Sequence, residues 1–109
     1  MVTKELVFGL SKNILLDFNR VFTDFPEIER VLIFGSRAKG TFKDGSDIDL
    51  AVFSPTMSEQ HFTKLWNQLD ALPLAFKIDV LHWNKLGNER LKNRIPVEGK
   101  VLYPPIEKP

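Results

Sequence analysis

The chain contains no cysteine, which excludes disulfides and thiolate chemistry and leaves any metal to oxygen or histidine ligands. It has no apolar run of about 18 residues, and no charged stretch leading into an apolar one at its start, so nothing reads as a membrane span or an export signal. Cytoplasmic residence is the default expectation. It also lacks an excess of either charge: 15 Lys and Arg stand against 14 Asp and Glu, a net charge of +1. That is no electrostatic footprint for nucleic acid, so neither nucleic acid nor a membrane is expected as a direct partner. Any charge that matters must be local.

Repeats and low-complexity tracts are absent too. The 109 residues, 43% of them hydrophobic, are sized for a single domain over 1–109, and their number excludes a second one. A chain of this length buries roughly 65% of the surface its unfolded form exposes, enough to fold without staples. The ordered part is expected from about Val7 to Tyr103, with residues 104–109 as a flexible tail.

Ser11 is placed to cap a helix whose apolar residues Ile14, Leu15, Phe18, Val21, Phe22 and Phe25 recur at intervals of three and four, and Pro26 closes it. Arg30 to Phe34 is a short β-branched and aromatic run, read as a buried strand ending at Gly35. A polar linker with Gly40, Asp44 and Gly45 leads to a second strand over Asp47 to Phe53. Ser58 opens a helix through about Ala71, with Phe62, Leu65, Trp66, Leu69 and Leu72 on its apolar face. Phe76 to Trp83 alternates as a third strand, with Phe76, Ile78 and Val80 on one side and Lys77, Asp79 and Leu81 on the other. A last helix is expected over Leu86 to about Glu98, stopped by Gly99, and Lys100 to Tyr103 adds an edge strand. Pro96 sits badly in that helix and predicts a kink or an end at Ile95. The order of elements predicts an α/β or α+β fold: a mixed sheet of three to four strands with helices packed mainly on one face.

The chemistry gathers around two short motifs. Gly35 and Ser36 follow directly on the first strand, where a turn into a helix presents backbone N–H groups and a hydroxyl to an anion, with Arg37 and Lys39 adding charge. This is a candidate phosphate cradle, or else an ordinary turn. Asp47 and Asp49 flank Ile48, and residues two apart in a strand point the same way. Two neighbouring carboxylates repel unless a cation lies between them, and Mg2+, with its oxygen ligands, suits the place. The alternative makes Asp47 a turn cap with Ser46 and Asp49 a solvated edge residue. Asp79, in the middle of an apolar strand, needs a partner: a cation, Lys77 or a bound metal. If the third strand neighbours the second, Asp79 completes a cluster of three carboxylates.

Other residues take plainer readings. His61 lies on a helix exterior and His82 ends a strand, both expected as surface or capping residues. Trp66 is assigned to the core, Trp83 either to the core or to a partner contact, and Lys43 to solvent.

Gly-Ser, ten residues, then Asp-x-Asp is a four-position pattern that chance supplies in roughly one chain in a thousand of this length. Gly35-Ser36-Arg37-Ala38-Lys39-Gly40 followed by Ser46-Asp47-Ile48-Asp49-Leu50 resembles the signature of the minimal nucleotidyltransferases (MNT) of the DNA polymerase beta-like superfamily. The resemblance extends to Ile78-Asp79-Val80 and to the closing segment with Glu98-Gly99. It implies transfer of a nucleoside monophosphate, AMP from ATP, to a hydroxyl. Gly35 and Ser36 would then hold the triphosphate, with Arg37 and Lys39 as phosphate neighbours. Asp47, Asp49 and Asp79 would bind Mg2+, two ions being expected, with Asp79 beside the attacking oxygen and serving as its base. Proteins of this kind resemble the antitoxin half of HEPN/MNT toxin-antitoxin pairs, in which the MNT protein modifies a tyrosine of a helical HEPN ribonuclease toxin. The shortness of the chain favours a partner that supplies the acceptor wall, in a hetero-oligomer or, for another acceptor, a homodimer. A binding module that neutralises its partner sterically, and an adenylyltransferase acting on a small molecule, are the competing readings.

Overall fold

The computed structural model describes residues 7–43 and 45–105. Of the expected tail, residues 106–109 lie outside the described residues, as does Asp44 of the linker. The first helix, α1 (Lys12–Thr23), starts where Ser11 Oγ accepts the Ile14 N–H at 3.4 Å. It ends before Phe25, because a residue preceding proline avoids the helical region. Phe25 stays buried all the same, its N–H donating to Phe22 O at 3.0 Å.

Four strands follow: β1 (Arg30–Phe34), β2 (Ile48–Phe53), β3 (Ile78–His82) and β4 (Lys100–Tyr103). They form one mixed sheet in the order β3-β2-β1-β4. β1 is antiparallel to both β2 and β4, whereas β2 and β3 are parallel. A parallel pair needs a crossover, and α3 (Glu59–Asp70), capped by Ser58, supplies it. Two shorter helical pieces complete the fold: α2 (Ser36–Lys39) directly after β1, and α4 (Glu89–Glu98) between β3 and β4.

Alternation along the strands divides the core between two faces. Val31, Ile33, Leu50 and Val52 point to α1 and α3, where Phe18, Phe22 and Phe25 are fully enclosed. Each such ring contributes about 2–3 kcal/mol by leaving water. Leu32, Ala51 and Phe53 point the other way and meet Ile95 and Leu91 of α4. The two longest helices thus share one face, and α4, with Trp83 and Leu86 before it, covers part of the other. Among the described residues, no helix is long and apolar enough to cross a membrane.

Several expectations need correction. β3 is shorter than Phe76 to Trp83, because Trp83 turns into a 3-10 segment, Trp83–Lys85. α4 starts at Glu89 and not at Leu86: Asn88 Oδ1 accepts the Leu91 N–H at 3.1 Å, a cap that Gly87 has no side chain to offer. Trp66 is 39% exposed and so not a core residue. His82 is buried, its Nε2 donating to Ser54 O at 2.8 Å and its ring stacked on Phe62. His61 pairs through Nδ1 with Glu27 and lies against the Phe25 ring.

Pro96 neither ends α4 nor leaves a gap in its bonding. A proline at this position cannot donate to Lys92 O, the acceptor one turn back. The Trp83 indole takes over, its Nε1–H donating to that carbonyl at 2.9 Å. Trp83 is held there by stacking on Phe53 with ring centroids 4.5 Å apart, and the Lys92 ammonium lies over the Trp83 ring, 4.9 Å from its centroid. Trp83→Phe should therefore cost about 1–2 kcal/mol in denaturant unfolding, since it strands a carbonyl. In a Pro96→Ala background, where a backbone N–H is restored, the same substitution should cost about 1 kcal/mol less. Equal losses in the two backgrounds would show that the indole is not the substitute donor.

Candidate active site

Strand direction brings the two motifs together. Because β1 and β2 are antiparallel, the end of one meets the start of the other, and Phe34 pairs with Asp49. Because β2 and β3 are parallel, the second residue of each is side by side: Asp49 pairs with Asp79. Asp47 immediately precedes β2 and shares the parity of Asp49, Ala51 and Phe53, the residues on the α4 side of the sheet. α4 covers that face at Ala51, Phe53 and Leu81 and leaves the acidic end open. Asp47 and Asp79 are exposed there and Asp49 is half-buried. The sheet edge changes the reading of Asp79: solvated on β3, it needs no buried counter-charge, and among the described residues it forms no ion pair with Lys77.

Gly35 links the cradle to the carboxylates. Its φ of 75° lies in the left-handed region, and a Cβ built on it would come within 2.6 Å of Asp49 Oδ2. Both facts require a residue without a side chain. The Asp49 carboxylate thus lies directly against the turn that begins α2. Burial first, then the charge of Asp79, then that of Asp47 raise the proton affinity of Asp49 above that of an ordinary aspartate. The electrostatic demand at this point is for a cation.

The donor set is all oxygen and suits a hard divalent ion. As the side chains stand, no group of three or more His, Asp or Glu among the described residues is close enough to enclose one. Gly35 offers no side-chain cap to the first turn of α2, so no capping side chain occupies the N–H groups beside Ser36. Lys39 lies at the rim of this turn, its Nζ 3.5 Å from Glu98 Oε2 at the end of α4. Glu98 is held below the usual glutamate range chiefly by the hydrogen bond from Arg94, with the charges of Arg94 and Lys39 assisting against desolvation.

Arg37 is placed differently from its expected position among the phosphates. It is 2% exposed and turned beneath the loop, where it bonds backbone carbonyls of Ser46 and Phe8. Sequence reasoning missed this inward turn, because an arginine between two glycines carries no mark of burial. The Lys39–Glu98 tether was also missed; the only signal was the position of Glu98 in the closing segment of the motif pattern. A groove of about 460 Å³ between α1 and β4, lined by Leu15, Leu16 and Val101 among others, has no acidic residue among the described residues that line it and lies apart from this chemistry.

The model of the family described as "Polymerase beta, Nucleotidyltransferase" matches residues 17–107. No curated protein matches the chain. Among solved structures, it is similar to a chain of a toxin-antitoxin complex with AMP-PNP, at 25% identity and a TM-score of 0.65, covering 86% of this chain and 73% of that one. A mutant of the toxin-antitoxin complex MntA-HpeT matches at 23% identity and TM-score 0.64 over the same shares, 86% and 73%. A complex of tri-AMPylated Shewanella oneidensis HEPN toxin with MNT antitoxin matches at 21% identity and TM-score 0.57, covering 83% of this chain and 71% of that one. The last two bear on the fold alone.

The crowding of like charges at Asp49 has a measurable effect on stability. An acid whose proton affinity is raised by folding destabilises the folded state while ionised, and the penalty fades as acid protonates it. Asp79→Asn should raise the thermal midpoint by about 2 °C at pH 7 without divalent ions. The gain should shrink as the pH falls through the aspartate range. A lower midpoint at pH 7 would mean that Asp79 supports the fold.

Proposed function

The chain belongs to the polymerase beta nucleotidyltransferase family, and from that premise we propose that it transfers AMP from ATP to a tyrosine hydroxyl of a HEPN-type helical toxin and acts as its antitoxin. The similarity to a chain of a toxin-antitoxin complex with AMP-PNP supports an adenine nucleotide and a place in a toxin-antitoxin pair. In this reading Gly35 and Ser36 hold the triphosphate at the start of α2, with Lys39 at the rim. Asp47, Asp49 and Asp79 would hold Mg2+, which when bound supplies the positive charge that phosphoryl transfer requires.

The residues of the chain then have defined tasks. Ser36 and the first-turn N–H groups orient the phosphates and leave the α-phosphorus facing the carboxylates. Asp79, exposed on the edge strand, is open to an incoming hydroxyl and takes its proton. The acceptor oxygen bonds to the α-phosphorus, the bond to the β-phosphate breaks, and pyrophosphate leaves with that electron pair. Carboxylates exposed on an open face leave the acceptor wall to the partner.

The observation that carries this reading is Asp49, lodged against Gly35 and flanked by two further carboxylates. A domain that neutralised its partner only by contact would have no use for such mutual repulsion.

Incubation with labelled ATP, Mg2+ and a co-purified HEPN partner should place label on the partner, and chelation should stop it. Asp47→Asn and Asp49→Asn should each lower transfer by about 100-fold or more with the circular dichroism unchanged. Inhibition of the partner without any label would favour the steric reading. Label on a small hydroxyl compound but never on the partner would favour the small-molecule one.

A further inference from the structure

We infer that Arg37 is a positioning residue that fixes Asp47 and Asp79 relative to the nucleotide cradle, and not a phosphate ligand; this rests on the proposed reaction. Arg37 directly follows Ser36, so its backbone belongs to the cradle. Its guanidinium is directed elsewhere. Nε and Nη2 donate to Ser46 O at 3.2 and 2.8 Å, and Nη1 donates to Phe8 O at 2.8 Å. The Phe42 and Phe76 rings lie 4.9 and 4.8 Å from its central carbon.

Each of these partners stands next to something the reaction needs. Ser46 immediately precedes Asp47, and Phe76 precedes Asp79 by three residues at the entry to β3. One rigid, buried side chain therefore spans from the residue after Ser36 to the residue before Asp47, and touches the approach to Asp79 as well. α2 ends at Lys39, and the described residues between it and Ser46 form neither helix nor strand, with Gly40 and Gly45 both at positive φ. Local bonds shape the two ends of that stretch separately, Thr41 N–H to Ser36 O at one and Ser46 N–H to Lys43 O at the other, whereas the guanidinium ties one end directly to the other.

The surroundings are built for arginine. A planar fork donates twice to one carbonyl and once to another while its faces meet two rings; a lysine ammonium offers neither the fork nor the faces. The Phe8 side of the clamp is also specialised. Phe8 has a φ of 58°, an unfavourable value for a side chain of its size, and its carbonyl receives one of the guanidinium bonds. At Gly9, φ 74°, a Cβ would come within 2.8 Å of Arg37 Nη1 and would also strike the Phe42 ring. The turn at Val7 to Leu10 is shaped around this guanidinium.

Arg37→Lys, which keeps the charge and loses the fork, separates the possible roles. Mn2+ affinity, measured by electron paramagnetic resonance without nucleotide, should weaken roughly tenfold, the usual effect of removing support from behind a metal ligand. The kcat should fall while the KM for ATP changes by less than about threefold, since Ser36 is untouched. The Asp47 and Asp79 amide resonances should move. A raised KM with Mn2+ affinity unchanged would instead make Arg37 a phosphate ligand and overturn the inference. A lowered melting temperature with unchanged Mn2+ affinity and kcat in the folded protein would reduce it to a structural residue, with the same result. Should the lysine variant fail to fold, Phe42→Leu, which removes one ring and keeps the hydrogen bonds, should shift the same readouts in the same direction, and unchanged readouts would overturn the inference. If the wild-type protein neither transfers label nor binds Mn2+, the proposed function fails by itself. The amide resonances then decide the placement: unmoved Asp47 and Asp79 signals would overturn it.

Discussion

The parallel pairing of β2 with β3 places two carboxylates, Asp49 and Asp79, side by side at the same level of the sheet, and much of the remaining structure accommodates that repulsion. Parallel neighbours cannot be joined by a tight turn, so α3 must cross between them and pack on the face opposite the acids. The antiparallel partner β1 brings its own end to the same level and delivers Gly35 against Asp49. The three strands in the order β3-β2-β1 thus place an acid pair and the Gly35–Ser36 turn at one end of the sheet. Under the proposed function, opposite electrostatic demands meet there: a place for negative phosphate beside a place that is already too negative. A cation between the two resolves both.

The second face of the sheet is divided between packing and chemistry. Near Phe53 and Trp83 it is covered by α4, a helix that tolerates Pro96 because an indole N–H replaces the missing backbone donor. Near Asp47 and Asp79 it is open. The boundary between the halves is marked by Glu98, the last residue of α4, which reaches Lys39 and so ties the end of the covering helix to the rim of the cradle. Half-exposed ion pairs of this kind add little stability. Their effect here is on placement: Lys39 is kept near the turn where a phosphate would arrive.

The legible part of the fold was local. Ser11, Ser58, the intervals of apolar residues in α1 and α3, and the alternation of β3 act within a few residues, so sequence spacing reports them directly. The misread parts depended on neighbours far along the chain. Pro96 looked like a helix breaker because its substitute donor is Trp83. Trp66 looked like core because helical spacing marks a face but not how far the next element covers it. Asp79 looked like a buried charge because alternation cannot tell an edge strand from a central one. His82, read as a surface or capping residue, does end β3 and precede the 3-10 segment, but it is buried by Ser54 and Phe62, which lie on other elements.

The same division holds at the candidate site. By itself the sequence determined which residue types were present and which strand faces they occupy: Gly35 and Ser36 at the end of β1, Asp47 and Asp49 on one side of β2, and Asp79 on the matching side of β3. Parity and turn chemistry are properties of short segments and need no tertiary information. Only the tertiary structure decided that β2 and β3 lie parallel with Asp49 beside Asp79, that the missing side chain of Gly35 makes room for a carboxylate, and that the Arg37 guanidinium turns inward to Ser46 and Phe8. Register, close approach and the direction taken by a long side chain are settled by contacts between segments, which spacing along the chain does not record.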